Sequence, residues 1–305
     1  MNETREMWTM ESGIDQAGTL RQDSNAQQKV TIDKSMRCIT VASGKGGVGK
    51  TFFAVNTAVQ LQRSGHKVLL LDADLGLANA DILLGTTPSY TLQDNVFSGV
   101  PLGEIVVKGP HEVDLLAANS GSGQMLKMGR ARMQMLVEDL LEFASDYDVF
   151  ILDCAAGIND SVMSFVNATP QCALVTTPEP TAIMDAYALM KVAEQRKQNG
   201  KFGLVMNNTR DVRQGNVIAD KLVKMGKEYL SCDVEKWGVI PNSDMVWNAI
   251  RAKKPIMAYA PQDKASKSIA QVSKYVLQRN STNVNLDKID AEGVLDGLFK
   301  REKTV

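Results

Sequence analysis

The sequence is poor in the residues that build metal centres. It has two histidines, His66 and His111, and four cysteines, Cys38, Cys154, Cys172 and Cys232. The cysteines form no CxxC pair and follow no zinc-ligand spacing, which excludes zinc-finger and cluster-carrier patterns. Three of them sit in or beside strand-like runs, where a buried, reduced thiol is the expected state. Long apolar runs are missing too, since none reaches the roughly 18 residues that span a bilayer. The opening MNETREMWTM lacks a basic start and an apolar middle, so it does not read as a signal peptide. Nor is one sign of charge in excess: 34 Lys and Arg oppose 35 Asp and Glu, for a formal net charge of −1. That balance does not advertise nucleic-acid binding, and no nucleic acid is expected as a partner. These absences describe a cytoplasmic globular protein. With 305 residues, 44% of them hydrophobic, the chain can bury a large core.

Three regions are expected. Residues 1–35 are polar and rich in Gln, Asp, Ser and Thr, and read as a flexible extension. Within it, SGIDQAGTLRQ (12–22) can form one short helix. Ser12 is its cap, Asp15 holds the capping-box position, and Ile14, Ala17 and Leu20 share a thin apolar face. Residues 36–280 then alternate apolar runs with helical patterns. The runs are RCITVA (37–42), KVLLLDAD (67–74), EVDLLAA (112–118), DVFILDCA (148–155), CALVTT (172–177), KFGLVMNN (201–208) and KWGVI (236–240). Helical patterns fill 51–65, 129–145, 159–168, 181–198, 214–229, 243–252 and 262–279. Such alternation predicts an α/β domain with a predominantly parallel sheet and helices on both faces. Residues 281–305 read as a linker and a short amphipathic helix.

What the chain does have is GKGGVGKT at 44–51. Gly44, Gly49, Lys50 and Thr51 match GxxxxGK[ST], after a strand and before a helix, the context that this motif requires. Its glycines let backbone N–H groups curl around phosphate oxygens, and the helix start adds partial positive charge. Gly44, Lys45, Gly46, Gly47, Val48, Gly49, Lys50, Thr51 and Phe52 are therefore the candidate phosphate-binding segment. Lys50 is placed to reach the β/γ oxygens, and Thr51 offers a hydroxyl to Mg²⁺. Three acids at strand ends complete the set: Asp153 closes VFILD, and Asp72 and Asp74 close LLLDAD. Mg²⁺ takes few direct carboxylates and keeps several waters. Two of these acids could hold metal-bound water and the third could orient an attacking water. Lys45 is surplus to a phosphate loop. It is either an exposed lysine or a group that reaches a second subunit's nucleotide.

GKGGVGKT resembles the deviant Walker A loop of the MinD/ParA class of ATPases. LLLDADLGLANADILLG resembles their switch I, and ILDCAAGI their Walker B and switch II. The likeness runs over about residues 37–280. It implies binding of ATP/ADP with Mg²⁺, slow hydrolysis, and an ATP-sandwiched homodimer in which Lys45 crosses to the partner's phosphates. It makes Lys45, Lys50 and Asp74 catalytic, with Asp74 orienting the attacking water. Asp72 and Asp153 become the magnesium-water acids. It places the Gly157 backbone near the γ-phosphate, Asn207 as an adenine reader and Pro241 against the base. Cys154 departs from the small residue expected after the Walker B Asp.

DQAGTLR (15–21) matches the DQAxxLR motif of the FlhG (FleN/YlxH) branch, which regulates flagellar number and placement. That resemblance implies that Asp15, Gln16, Leu20 and Arg21 contact FlhF, a signal-recognition-type GTPase, and stimulate it. Flagellar switch-complex proteins or a transcription regulator are further implied partners. The alternatives within the class are a MinD-type division-site regulator and a ParA-type DNA-partition ATPase. IDAEGVLDGLFKREKTV (289–305) resembles the branch's terminal membrane-targeting helix. Val294, Leu295, Leu298 and Phe299 would meet the inner membrane lipid reversibly. Gly293 and Gly297 weaken it as a helix, and docking on the protein's own surface is the other reading.

Overall fold

The computed structural model describes residues 36–74, 79–117, 130–196, 200–278 and 290–299. The motif residues Asp15, Gln16, Leu20 and Arg21, and the short helix expected around them, lie outside the described residues.

The apolar runs become strands β1 (Arg37–Ala42), β2 (Val68–Asp72), β3 (Val107–Lys108), β4 (Asp114–Ala117), β5 (Val149–Asp153), β6 (Gln171–Thr176), β7 (Lys201–Thr209) and β8 (Val234–Pro241). They form one eight-stranded sheet in the order β3-β4-β2-β5-β1-β6-β7-β8. Every pairing is parallel except β3 with β4. Successive side chains of a strand point to opposite faces, so each continuous apolar run feeds two cores. Cys38, Phe150, Leu152, Cys172 and Leu204 line one core. Ile39, Val41, Ile151, Ala173 and Val205 line the other.

The main helices are α1 (Lys50–Arg63), α2 (Ala80–Leu84), α3 (Leu92–Ser98), α4 (Leu102–Ile105), α5 (Arg130–Ala144), α6 (Asp160–Ala168), α7 (Pro180–Gln195), α8 (Val212–Leu230), α9 (Asp244–Arg251), α10 (Ile256–Tyr259), α11 (Lys264–Leu277) and α12 (Ala291–Phe299). Helices α5 to α8 and α12 cover the first core. Helices α1, α2 and α9 to α11 cover the second. Expected and observed helices agree within a few residues. The sequence reading missed α2, α3, α4 and α10, which are too short to show a helical period. It also began β4 early. His111 and Glu112 have φ of 58° and 62°, a left-handed backbone that cannot start a strand.

Packing between β7 and β8 depends on one glycine. A Cβ on Gly203 would lie 1.9 Å from a ring carbon of Trp237. That ring is buried, stacks on Tyr275 at 6.0 Å and donates its Nε1–H to Glu235 at 3.1 Å. It has nowhere to retreat. Gly203→Ala is expected to lower stability by about 3 kcal/mol or more, read as a shift in the urea midpoint. Gly103→Ala in α4, where the added Cβ meets nothing within 4 Å, is expected to be neutral or slightly stabilising.

Helix α12 lies against α5 and α6. Val294 and Leu295 are buried there, at 0% and 5% exposure. The Asp290 N–H donates to Ala168 O at 2.8 Å. A Cβ on Gly293 would come within 2.7 Å of the Ala168 Cβ. Gly293 weakens the helix in isolation, yet it allows this close approach. Two of the residues read as a lipid face are thus packed on the protein. Leu298 and Phe299 belong to the helix, and their side chains lie outside the described residues.

Candidate active site

The phosphate loop joins the end of β1 to the first turn of α1. Gly49 is the α1 N-cap, with φ 90° and ψ 29°, a left-handed backbone that glycine adopts without strain. The loop is held from three sides. Gly157 N donates to Ser43 O at 2.8 Å. Asn207 Nδ2 donates to Val48 O at 2.8 Å. On the third side a Cβ on Gly44 would meet the Asp185 carbonyl oxygen of α7 at 2.3 Å. Val48 and Phe52 are buried beneath the loop, anchoring it to the second core.

Lys50 points inward. Its ammonium lies 2.7 Å from Asp153 Oδ1 and 3.3 Å from Thr51 Oγ1. Lys50 is 7% exposed and Asp153 0%. Burial works to lower the Lys50 pKa, but the Asp153 carboxylate, aided by Asp72, holds it above the ordinary value. Burial outweighs Lys50 at Asp153 and pushes that carboxyl up. Asp72 and Asp153 are direct neighbours in the β2–β5 register. Asp72 is pushed up to about 6 by burial and by Asp153. Its Oδ2 accepts the N–H groups of Asn79 and Ala80, both at 2.9 Å, and Oδ1 accepts that of Asp74 at 3.2 Å. Asp72 therefore also anchors the start of α2.

A magnesium ion fits these residues. The buried Oδ2 of Asp153 has no hydrogen-bond partner. With the Thr51 hydroxyl and Asp72 it offers hard oxygen donors. Among the described residues no group of three or more His, Cys, Asp and Glu could hold a metal. Mg²⁺ in nucleotide sites is commonly held by one or two carboxylates together with ligand phosphates.

Lys45 points the other way. Its ammonium pairs with Glu179 Oε2 at 3.1 Å and donates to Thr181 Oγ1 at 2.9 Å, at the N-terminus of α7. Lys45 is 38% exposed and Glu179 65%. The structure thus gathers Lys50, Thr51, Asp72, Asp74 and Asp153, ties Gly157 and Asn207 to the loop, and sets Lys45 on the outer rim. Pro241 is buried at the end of β8, paired with Thr209 of β7. The sequence reading missed Glu179 and Thr181. Their signal was position: both follow β6, at the carboxyl end of a parallel strand where ligands gather. It also did not see that Asn207 Nδ2 would donate to the loop. Cys154 is buried, donates to Val41 O at 3.1 Å and is pushed up to about 12 by burial, so it stays a neutral packing thiol.

A family model described as ParA, an NUBPL iron-transfer P-loop NTPase, matches residues 34–277. The chain belongs to the ParA/MinD family of P-loop ATPases. Antiactivator FleN of Pseudomonas aeruginosa is 37% identical over 241 residues, covering 79% of this chain and 86% of the relative. Flagellum site-determining protein YlxH of Helicobacter pylori is 31% identical over 264 residues, covering 86% and 88%. Among solved structures, the septum site-determining protein MinD of Pyrococcus horikoshii, complexed with Mg-ADP, superposes with a TM-score of 0.64. It is 26% identical, and the match covers 79% of this chain and 96% of that one. This ParA/MinD-family ATPase therefore shares with MinD the architecture that places the loop at the centre of the sheet.

Proposed function

We propose that the chain is an ATP-driven switch that controls flagellar number or placement. The observation that carries the switch is the divergence of its two loop lysines. Lys50 faces the buried acids at 2.7 Å, while Lys45 sits on the rim against Glu179 and Thr181. A lysine held outward serves a site on another copy of the chain.

In this reading Lys50 leaves Asp153 for the β/γ-phosphates, and the loop N–H groups take the remaining phosphate oxygens. Thr51, Asp72 and Asp153 would hold Mg²⁺, which when bound would supply positive charge against the phosphates. Asp74 accepts a hydrogen bond from the attacking water and orients it. The Gly157 N–H exchanges Ser43 O for the γ-phosphate, and Pro241 lies against the adenine. Lys45 of a second copy adds positive charge in the transition state, so turnover is slow until two copies meet. The iron-transfer chemistry of the matched model's description has no support in the thiols, which are all free and buried.

The flagellar output rests on the FleN and YlxH relatives and on DQAGTLR at 15–21. Asp15, Gln16, Leu20 and Arg21 would activate an FlhF-type GTPase. The relative named an antiactivator supports a transcription regulator as a second partner, with switch-complex proteins as a third. The test is GTP hydrolysis by FlhF from the same organism. The full-length protein should stimulate it, and a variant with Gln16→Ala and Leu20→Ala should not. An inert wild type would sink the flagellar reading and favour a division-site or partition role.

Among the described residues no helix is long and apolar enough to cross a membrane. Reversible membrane contact would therefore fall to α12, docked while the protein is a monomer and released when ATP brings two copies together. Co-sedimentation with anionic vesicles should rise with ATP over ADP. A variant carrying Val294→Asp and Leu295→Asp should lose that gain. Equal sedimentation in both nucleotides would end the proposal.

A further inference from the structure

Asn207 is tied to the phosphate loop through its amide nitrogen. It lies near the end of β7 at 6% exposure, and its Nδ2 donates to Val48 O at 2.8 Å. A backbone carbonyl only accepts, so the atom facing it must be the amide nitrogen. The next loop residue is Gly49, whose added Cβ would lie 2.2 Å from that same nitrogen. The Asn207 amide therefore fills the space beneath the last turn of the loop. Gly49 is the α1 N-cap, and no side chain caps the helix there. No cap side chain takes the N–H groups of the first turn of α1, the kind of groups that bind anions at a helix start. Their direction depends on the Val48–Gly49 backbone, and the side chain holding that backbone is Asn207.

We propose that Asn207 is a positioning residue of the phosphate loop, which supports the polyphosphate through Val48 and Gly49 whatever base is attached. This rests on the reading of the loop as a nucleotide site. A base reader and a loop support differ in one measurable way. Loss of a base reader weakens only ligands that carry a base. Loss of a loop support also weakens ligands that have none.

The experiment is calorimetric titration of the full-length protein with MgATP and with magnesium tripolyphosphate, which lacks sugar and base. Asn207→Ala is expected to weaken both ligands, tripolyphosphate included, by about tenfold or more, as for loss of a buried hydrogen bond. Asn207→Asp sharpens the contrast. Its carboxylate can still accept from an adenine amino group, but it repels the Val48 carbonyl, so it too should weaken both ligands. Weakening of MgATP alone in Asn207→Ala, or retention of MgATP affinity in Asn207→Asp, would overturn the proposal. Wild type that binds neither ligand would overturn the nucleotide reading and this inference with it. If both variants melt below the assay temperature, the wild-type Asn207 side-chain amide signals decide by NMR. Tripolyphosphate should shift them as ATP does, and a shift with ATP alone would overturn the proposal.

Discussion

Lys45→Ala is expected to cut ATP turnover about a thousandfold or more, the scale of a cationic finger removed from a phosphoryl-transfer site, while nucleotide affinity stays within a few-fold. The fold should be indifferent to the change. The Lys45–Glu179 pair is exposed at 38% and 65%, and such pairs contribute about 1 kcal/mol or less. The sharper outcome comes from mixing two inactive proteins. Asp74→Ala removes the acid proposed to orient the attacking water but keeps Lys45. Lys45→Ala keeps Asp74 but has no lysine to lend. In a mixed dimer, the site built on the Lys45→Ala copy has its own Asp74 and receives Lys45 from the other copy. With random pairing in a two-fold dimer, activity should recover to about a quarter of wild type. A lysine acting within its own subunit would leave the mixture as dead as its parts. Phosphate release at equal total protein, with each variant alone as the baseline, checks it.

What the sequence revealed and what it concealed follow from the range of the interactions. The phosphate loop was legible because its parts are contiguous: strand, glycines, Lys50, Thr51 and helix lie within one short stretch. The parallel sheet was legible because strands buried on both faces leave continuous apolar runs such as VLLLD and VFILD. Asp72 and Asp153 were found as strand-end acids, and they proved to be register neighbours. That Asp72 also accepts two backbone N–H groups at the start of α2 was hidden, because α2 is too short to announce itself. The contacts of Lys45 with Glu179 and Thr181, across 134 and 136 residues, leave no local pattern at all. Gly293 read as a weakness in its helix, and Gly203 drew no reading at all. Only the third dimension shows the Trp237 ring and the Ala168 methyl that require them.

Lys50→Met should separate stability from function in the nucleotide-free protein. Lys50 and Asp153 form an ion pair at 2.7 Å with 7% and 0% exposure, and Asp153 Oδ2 has no partner of its own. Removing the ammonium leaves a buried carboxylate uncompensated, a change that costs about 3–5 kcal/mol. The carboxyl responds by holding a proton, which limits the cost without erasing it. Replacing both partners, as Lys50→Met with Asp153→Leu, removes both charges of the pair and should restore most of the lost stability. Neither protein should bind ATP. The single variant is then unstable and inactive, the double variant stable and inactive, and urea midpoints with ATP titrations distinguish them. A single variant as stable as wild type would show that solvent reaches Asp153 and that the pair is not buried in solution. The expected result has a consequence for binding. A ligand that draws Lys50 away leaves Asp153 in the same plight as the methionine variant, so a second cation must arrive beside the carboxylate. Affinity for ATP should therefore fall steeply when Mg²⁺ is withheld, more than the loss of phosphate neutralisation alone would give, and Asp153→Asn should remove that extra dependence.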